Sequence, residues 1–181
     1  MSDLLFHFSE DPTIVAFEPH VPATNLGQPP AVWAIDDVHS PLYWFPRDCP
    51  RVTCWPRGPD ERGAFDEMFH TSAHRVHAIE LGWLTRLRTA RLFRYSFDAA
   101  PFTSWAEASG QWISPSRVEP VAVEPVGDLL DAHVAAGIEL RALPSLWPLH
   151  DAVRSGRAWD FSIVRMLNAQ PRGPYRPSQA E

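Results

Sequence analysis

Apolar and polar positions alternate from the start of the chain: in Leu4-Leu5-Phe6-His7-Phe8-Ser9, strand geometry puts Leu5, His7 and Ser9 on one face and Phe6 and Phe8 on the other. A second run, Ala31-Val32-Trp33-Ala34-Ile35, reads as strand two and ends in Asp36-Asp37. Asp37 is placed to cap a short helix carrying Tyr43, Trp44 and Phe45, with Pro41 in its first turn. Residues 49–55 predict a third, partly exposed strand. From 60 to 69 the apolar positions Phe65, Met68 and Phe69 have helical spacing. A helix running on would put His70, His74 and His77 on one face; we prefer a break at 72–74 and a strand over 75–80. A helical turn through Trp83, Leu84 and Leu87 precedes a strand over 92–97, where Phe93, Tyr95 and Phe97 alternate with Arg94 and Ser96. Short strands follow at 111–114 and 118–123. A helix over 128–136 turns Leu129, Leu130, His133 and Val134 inward and closes at Gly137. A strand at 138–140 and a helix over 146–154, with Gly156 after it, come next. The run 161–166 suits either type.

Short strands at irregular spacing with brief helices between them do not form repeated βαβ units. The expected fold is α+β: one domain over 1–170 with a curved, mainly antiparallel sheet in two halves and peripheral helices. The loop over 24–30 is polar, and the proline-bearing tail over 171–181 is expected to be disordered.

Composition narrows the chemistry. The 181 residues are 45% hydrophobic and 21% charged, as a soluble globular chain should be, and eight Trp and ten Phe supply core volume. No apolar run is long enough to span a bilayer. The opening Met1-Ser2-Asp3 lacks the basic region of a signal peptide, which points to the cytoplasm. All sixteen basic residues are Arg. Chemistry that needs a Lys amine, such as Schiff bases or a Walker phosphate loop, is excluded. There is no G-x-G-x-x-G, H-E-x-x-H or G-x-S-x-G. A net charge of −6 argues against bulk nucleic-acid binding, though not against a local Arg site for a nucleotide or other small molecule. Cys49 and Cys54 have no metal-knuckle spacing and are expected to be free thiols.

Three constellations carry candidate chemistry. His7 and Ser9 share a strand face and need partners if buried, because an unpaired buried polar group costs about 1–3 kcal/mol. His70, His74 and His77 suggest a metal-dependent hydrolase only on a continuous helix, where the outer two stand about 10 Å apart and one ion reaches two of them. Arg47, Arg51 and Arg57 form either a phosphate-holding edge or, as we prefer, exposed surface pairs. Trp33, Trp44, Trp55 and Trp112 read as core.

The runs over 5–9, 17–19 and 32–36 and the aromatic Tyr43-Trp44-Phe45 resemble the N-terminal half of ADP-ribosyltransferase-like domains. That resemblance implies an ADP-ribosyltransferase-like fold, NAD as cofactor and attack on the nicotinamide glycosidic bond. It assigns His7 and Ser9 to the ribose, Trp33 to the strand-two aromatic position and Tyr43 to stacking near nicotinamide; Arg47, from the arginine edge, is the further cofactor-binding candidate. The catalytic Glu of the family falls at Gln111, with Glu107 as substitute in a shifted register. A Gln is no general base, so a non-catalytic nucleotide- or partner-binding module of the same fold is the alternative. Nearly the whole chain also resembles an uncharacterised bacterial family of unknown function, through 46–50, 75–80, 138–141 and 146–149.

Overall fold

The computed structural model describes residues 4–21, 27–155 and 159–173; Gly156 after the last helix, residues 24–26 of the polar loop and the tail from 174 lie outside them. In chain order the elements are β1 (Leu4–Ser9), β2 (Val32–Ile35), β3 (Arg51–Pro56), α1 (Arg62–Phe69), β4 (Val76–Glu80), α2 (Leu84–Thr89), β5 (Phe93–Asp98), β6 (Thr103–Ser104), β7 (Gln111–Ser114), β8 (Ala122–Pro125), α3 (Leu129–Ala135), β9 (Glu139–Leu143), α4 (Trp147–Ser155) and β10 (Trp159–Val164). A 3₁₀ turn, Ser40–Tyr43, stands where the aromatic helix was expected. They make an α+β chain with two mainly antiparallel sheets, one in each of two compact units. The two halves expected of one curved sheet are therefore separate sheets.

The first unit comprises 1–47 and 86–136. Its six strands run in the order β6-β7-β2-β1-β5-β8, antiparallel throughout. Opposed residues share a face, so the β1–β5 register joins Leu5 to Phe97, His7 to Tyr95 and Ser9 to Phe93. That face is the core side: Leu5, Val32, Ala34, Tyr95, Phe97, Phe102 and Val118 are buried together, with Phe17 packed edge-on against Tyr95 and Phe97. The alternation read in β1 is borne out. In α3, Leu129 and His133 are buried as expected. Val134 is 77% exposed, a correction: it lies one position past the His133 ridge, and a narrow apolar stripe does not reach it.

The second unit comprises 48–85 and 137–181. Its strands run β10-β3-β4-β9, with only β4–β9 parallel. β3 is an inner strand, and its first four residues are buried rather than partly exposed, because β10 and β4 flank it on both edges. Phe65 and Phe69 of α1 pack with Val52, Cys54, Val76, Leu146, Val153 and Trp159. The helix stops at His70, which adopts a left-handed conformation with φ +47°, while Arg141 donates to the freed carbonyl of Phe69. The preferred break is present, and the run 161–166 is strand through Val164, paired with β3, before Arg165 turns left-handed and Met166 opens a 3₁₀ turn, Met166–Asn168.

Candidate functional site

In the first unit, β1 pairs with β5 along all six residues but is registered with β2 at Phe6↔Ile35 alone. Beyond that pair the strands part. His7 Nδ1 donates to the Trp33 carbonyl across the gap at 3.1 Å. A small concave site of about 70 Å³, open to solvent, lies here. Three consecutive residues of each strand line it, Phe6-His7-Phe8 and Trp33-Ala34-Ile35. An intact pleated pair would present alternate residues only, so the parting of the strands is what makes the cavity.

Tyr43 and Gln111 complete the lining. Tyr43 ends the 3₁₀ turn, and its ring is parallel to that of Phe8 within 3°, with centroids 6.5 Å apart. Gln111 Nε2 donates to Tyr43 Oη at 3.0 Å, which leaves the Gln111 Oε1 as that amide's acceptor. Asp37 does not cap the turn with its side chain, a correction: His39 stands at the N-cap, and the Asp37 backbone carbonyl accepts the Ser40 N–H. The Asp36 Oδ1 accepts the His39 N–H at 2.8 Å and so fixes the residue that precedes the turn.

Burial is the main influence that pulls the His7 pKa down; its bond to the Trp33 carbonyl opposes this, and the charges of Arg47 and His20 add to the lowering. His7 is therefore neutral at pH 7. With Nδ1–H committed to Trp33, Nε2 is the ring's remaining acceptor. The Trp33 indole N–H is buried without a partner among the described residues. Arg94 lies 4.9 Å over the ring of Phe6 and pairs with Glu124 at 2.8 Å.

Of the residues singled out from the sequence, His7, Trp33, Tyr43 and Gln111 meet at this cavity. Ser9 and Glu107 do not line it. Ser9 Oγ accepts the Asp11 N–H at 3.1 Å, and Glu107 is exposed in the turn before Gln111. Arg47 is exposed and acts on His7 through its charge. Arg51 is buried and donates to the Cys49 carbonyl, and Arg57 pairs with Asp160, so they form no common phosphate edge with it. Trp33, Trp44, Trp55 and Trp112 are half-buried rather than core. His70 ends α1 and His74 lies in the break before β4, both exposed, while His77 of β4 is fully buried, which removes the shared helix face a metal site needed. Among the described residues no three His, Cys, Asp or Glu side chains gather to hold a metal. No helix among them is long and apolar enough to cross a membrane.

Sequence reasoning did not single out Phe8, placed only on a face with Phe6, or the Asp36–His39 pair. The D-x-x-H spacing across a strand end was the available signal for the latter.

The model of a family of unknown function (DUF6886) matches residues 6–169, and the chain belongs to that family. No curated protein and no solved structure matches the chain.

Proposed function

For this member of a family without an assigned activity, we propose that the first unit binds a nicotinamide nucleotide, NAD, in an ADP-ribosyltransferase-like site between β1 and β2. The observation that carries the reading is the parallel pair of aromatic faces, Phe8 and Tyr43, bordering the same cavity as His7 and Gln111. Their 6.5 Å centroid spacing falls short of the about 7 Å that a ring held between them would need, so a planar heteroaromatic ring would stack on the open face of one of the two. The neutral His7 offers Nε2 as an acceptor for a ribose hydroxyl, and Gln111 Oε1 suits a carboxamide N–H or a second hydroxyl. Fixing the ribose while the ring is stacked is what glycosidic cleavage requires.

Gln111 favours a second reading, in which the site binds the nucleotide without turnover. It can hydrogen-bond a ribose but neither takes a proton nor offsets oxocarbenium charge, and the exposed Glu107 does not line the cavity. Calorimetric titration with NAD and a non-hydrolysable analogue, on wild type and on His7→Ala, tests the binding common to both readings. We expect weak binding that His7→Ala reduces further; no heat at millimolar nucleotide would remove NAD as the ligand. Nicotinamide release separates the two readings. Release by Gln111→Glu alone would identify the missing carboxylate as the reason for inactivity.

A further inference from the structure

We propose that Asp36, His39 and Gly110 act as a positioning clamp for the Tyr43–Gln111 wall, and so set the affinity of the cavity for the ring-bearing end of its ligand. The proposal rests on the nucleotide reading for the identity of that ligand, but not for the clamp itself. Asp36 directly follows the cavity residue Ile35, and its backbone N–H donates to the Gly110 carbonyl at 2.9 Å. Its carboxylate Oδ1 accepts from the His39 backbone at 2.8 Å and from His39 Nδ1 at 2.7 Å. His39 opens the 3₁₀ turn that ends at Tyr43, and Gly110 precedes Gln111. The Asp36 backbone thus holds the loop carrying Gln111, its carboxylate holds the turn carrying Tyr43, and the His39 ring packs close over Gly110.

Gly110 is what lets the ring lie there. Its φ is +74°, and a Cβ added at this position would stand 2.2 Å from His39 Nδ1 and 2.4 Å from its Cγ. No side chain fits under the imidazole, and an L-residue would also be strained in that conformation. The His39 and Asp36 side chains are 18% and 33% exposed, so the hydrogen bond between them is partly sheltered from competing water. Neither residue lines the cavity. Their effect on a ligand passes through the Tyr43 ring and the Gln111 amide, which are joined at 3.0 Å.

The test uses the full-length chain labelled with ¹³C at its tyrosines, which number three: Tyr43, Tyr95 and Tyr175. In His39→Ala the Tyr43 ring signal should shift or broaden while that of Tyr95, in the core of the same unit, stays in place. His39→Asn, whose amide can donate to Asp36 much as Nδ1 does, should restore it. Gly110→Ala should displace Tyr43 as His39→Ala does. In parallel, NAD affinity should fall about tenfold in His39→Ala and recover in His39→Asn, while ADP-ribose, which lacks the nicotinamide ring, should bind all three proteins alike. An unmoved Tyr43 signal in His39→Ala would overturn the clamp, as would equal losses for NAD and ADP-ribose. If wild type binds neither ligand yet Tyr43 responds as described, the nucleotide reading fails and the clamp stands.

Discussion

Tyr95 shows how one side chain can couple core packing to loop placement. Its ring is fully buried between β1 and the Phe17 edge contact, while its hydroxyl donates to the Asp11 carbonyl and accepts the Ile14 N–H at 3.2 Å. The apolar half of the residue fills the core and the polar tip fastens the chain leaving β1. Tyr95→Phe keeps the packing but leaves both backbone groups without that partner. We expect a loss of about 1–3 kcal/mol in denaturant unfolding, with the far-ultraviolet spectrum of the native protein unchanged. The thiols behave more simply. Burial is the largest influence on both: it pushes Cys49 up to about 12, against the opposing charge of Arg51, and raises Cys54 further. Thiolate is the reactive form, so neither should react with a thiol reagent in the native state, and both should react quickly in guanidinium. Fast labelling of the native protein would show that the strand environment of Cys54 opens readily.

At the level of elements, short helices here depend on their ends more than on their length. With seven residues, α3 cannot sustain itself by propensity alone. Asp128 accepts the N–H groups of Leu130 at 2.8 Å and Asp131 at 3.1 Å, and Gly137 turns the chain away with φ +64°. Asp128→Ala should cost about 0.5–2 kcal/mol, whereas Asp128→Ser or Asp128→Asn should restore most of it, read from the unfolding midpoint. The same logic explains why the helix break after α1 was legible. His70-Thr71-Ser72-Ala73 offers no apolar residue of any size to extend the Phe65/Phe69 face, and the β-alternation of Val76, Ala78 and Glu80 against His77 and Ile79 begins at once. The aromatic turn was less legible. Its Pro41 is suited to a first turn of either helix type, and only the backbone bonds from Leu42 to His39 and from Trp44 to Pro41 show that the turn is 3₁₀ and short.

For the molecule as a whole, acid is the informative variable. His7 and His133 of the first unit both have pKa values lowered chiefly by burial, and each has one ring nitrogen committed to a carbonyl, of Trp33 and Leu129 respectively. A histidine whose folded pKa lies below its unfolded value of 6.5 binds protons more readily when unfolded. Its contribution is therefore complete above that value and is lost as pH falls through it towards the folded pKa. We expect stability to be level from pH 8 to about 7 and then to fall steadily towards pH 5. Replacing His133, which packs against Trp44 and Phe45, by Phe should flatten that fall, whatever it does to the plateau. A Phe variant with an unchanged acid slope would exclude His133 as one of the groups responsible.

Most strand positions, the shared face of Leu5, His7 and Ser9 in β1, the break after α1 and the exclusion of lysine chemistry were determined by the sequence alone, because each rests on local periodicity or on residue identity; β8, expected over 118–123, instead spans Ala122–Pro125, where it pairs with β5. Phe93, Tyr95 and Phe97 could lie on one face only, whatever their partners. The candidate site was half legible for the same reason: His7, Trp33, Tyr43 and Gln111 carry functional groups that stand out in their local runs. Only the tertiary structure decided which of them meet. Cavity formation depends on β1 and β2 parting after a single registered pair, and register is a non-local property set by how β5 and β7 hold the outer edges. Phe8 became a wall and Ser9 a turn partner on that account, although the two are neighbours in the chain. The burial of β3 and the separation into two sheets were likewise decided by which strands found each other across long stretches of sequence, where pattern carries no information about pairing.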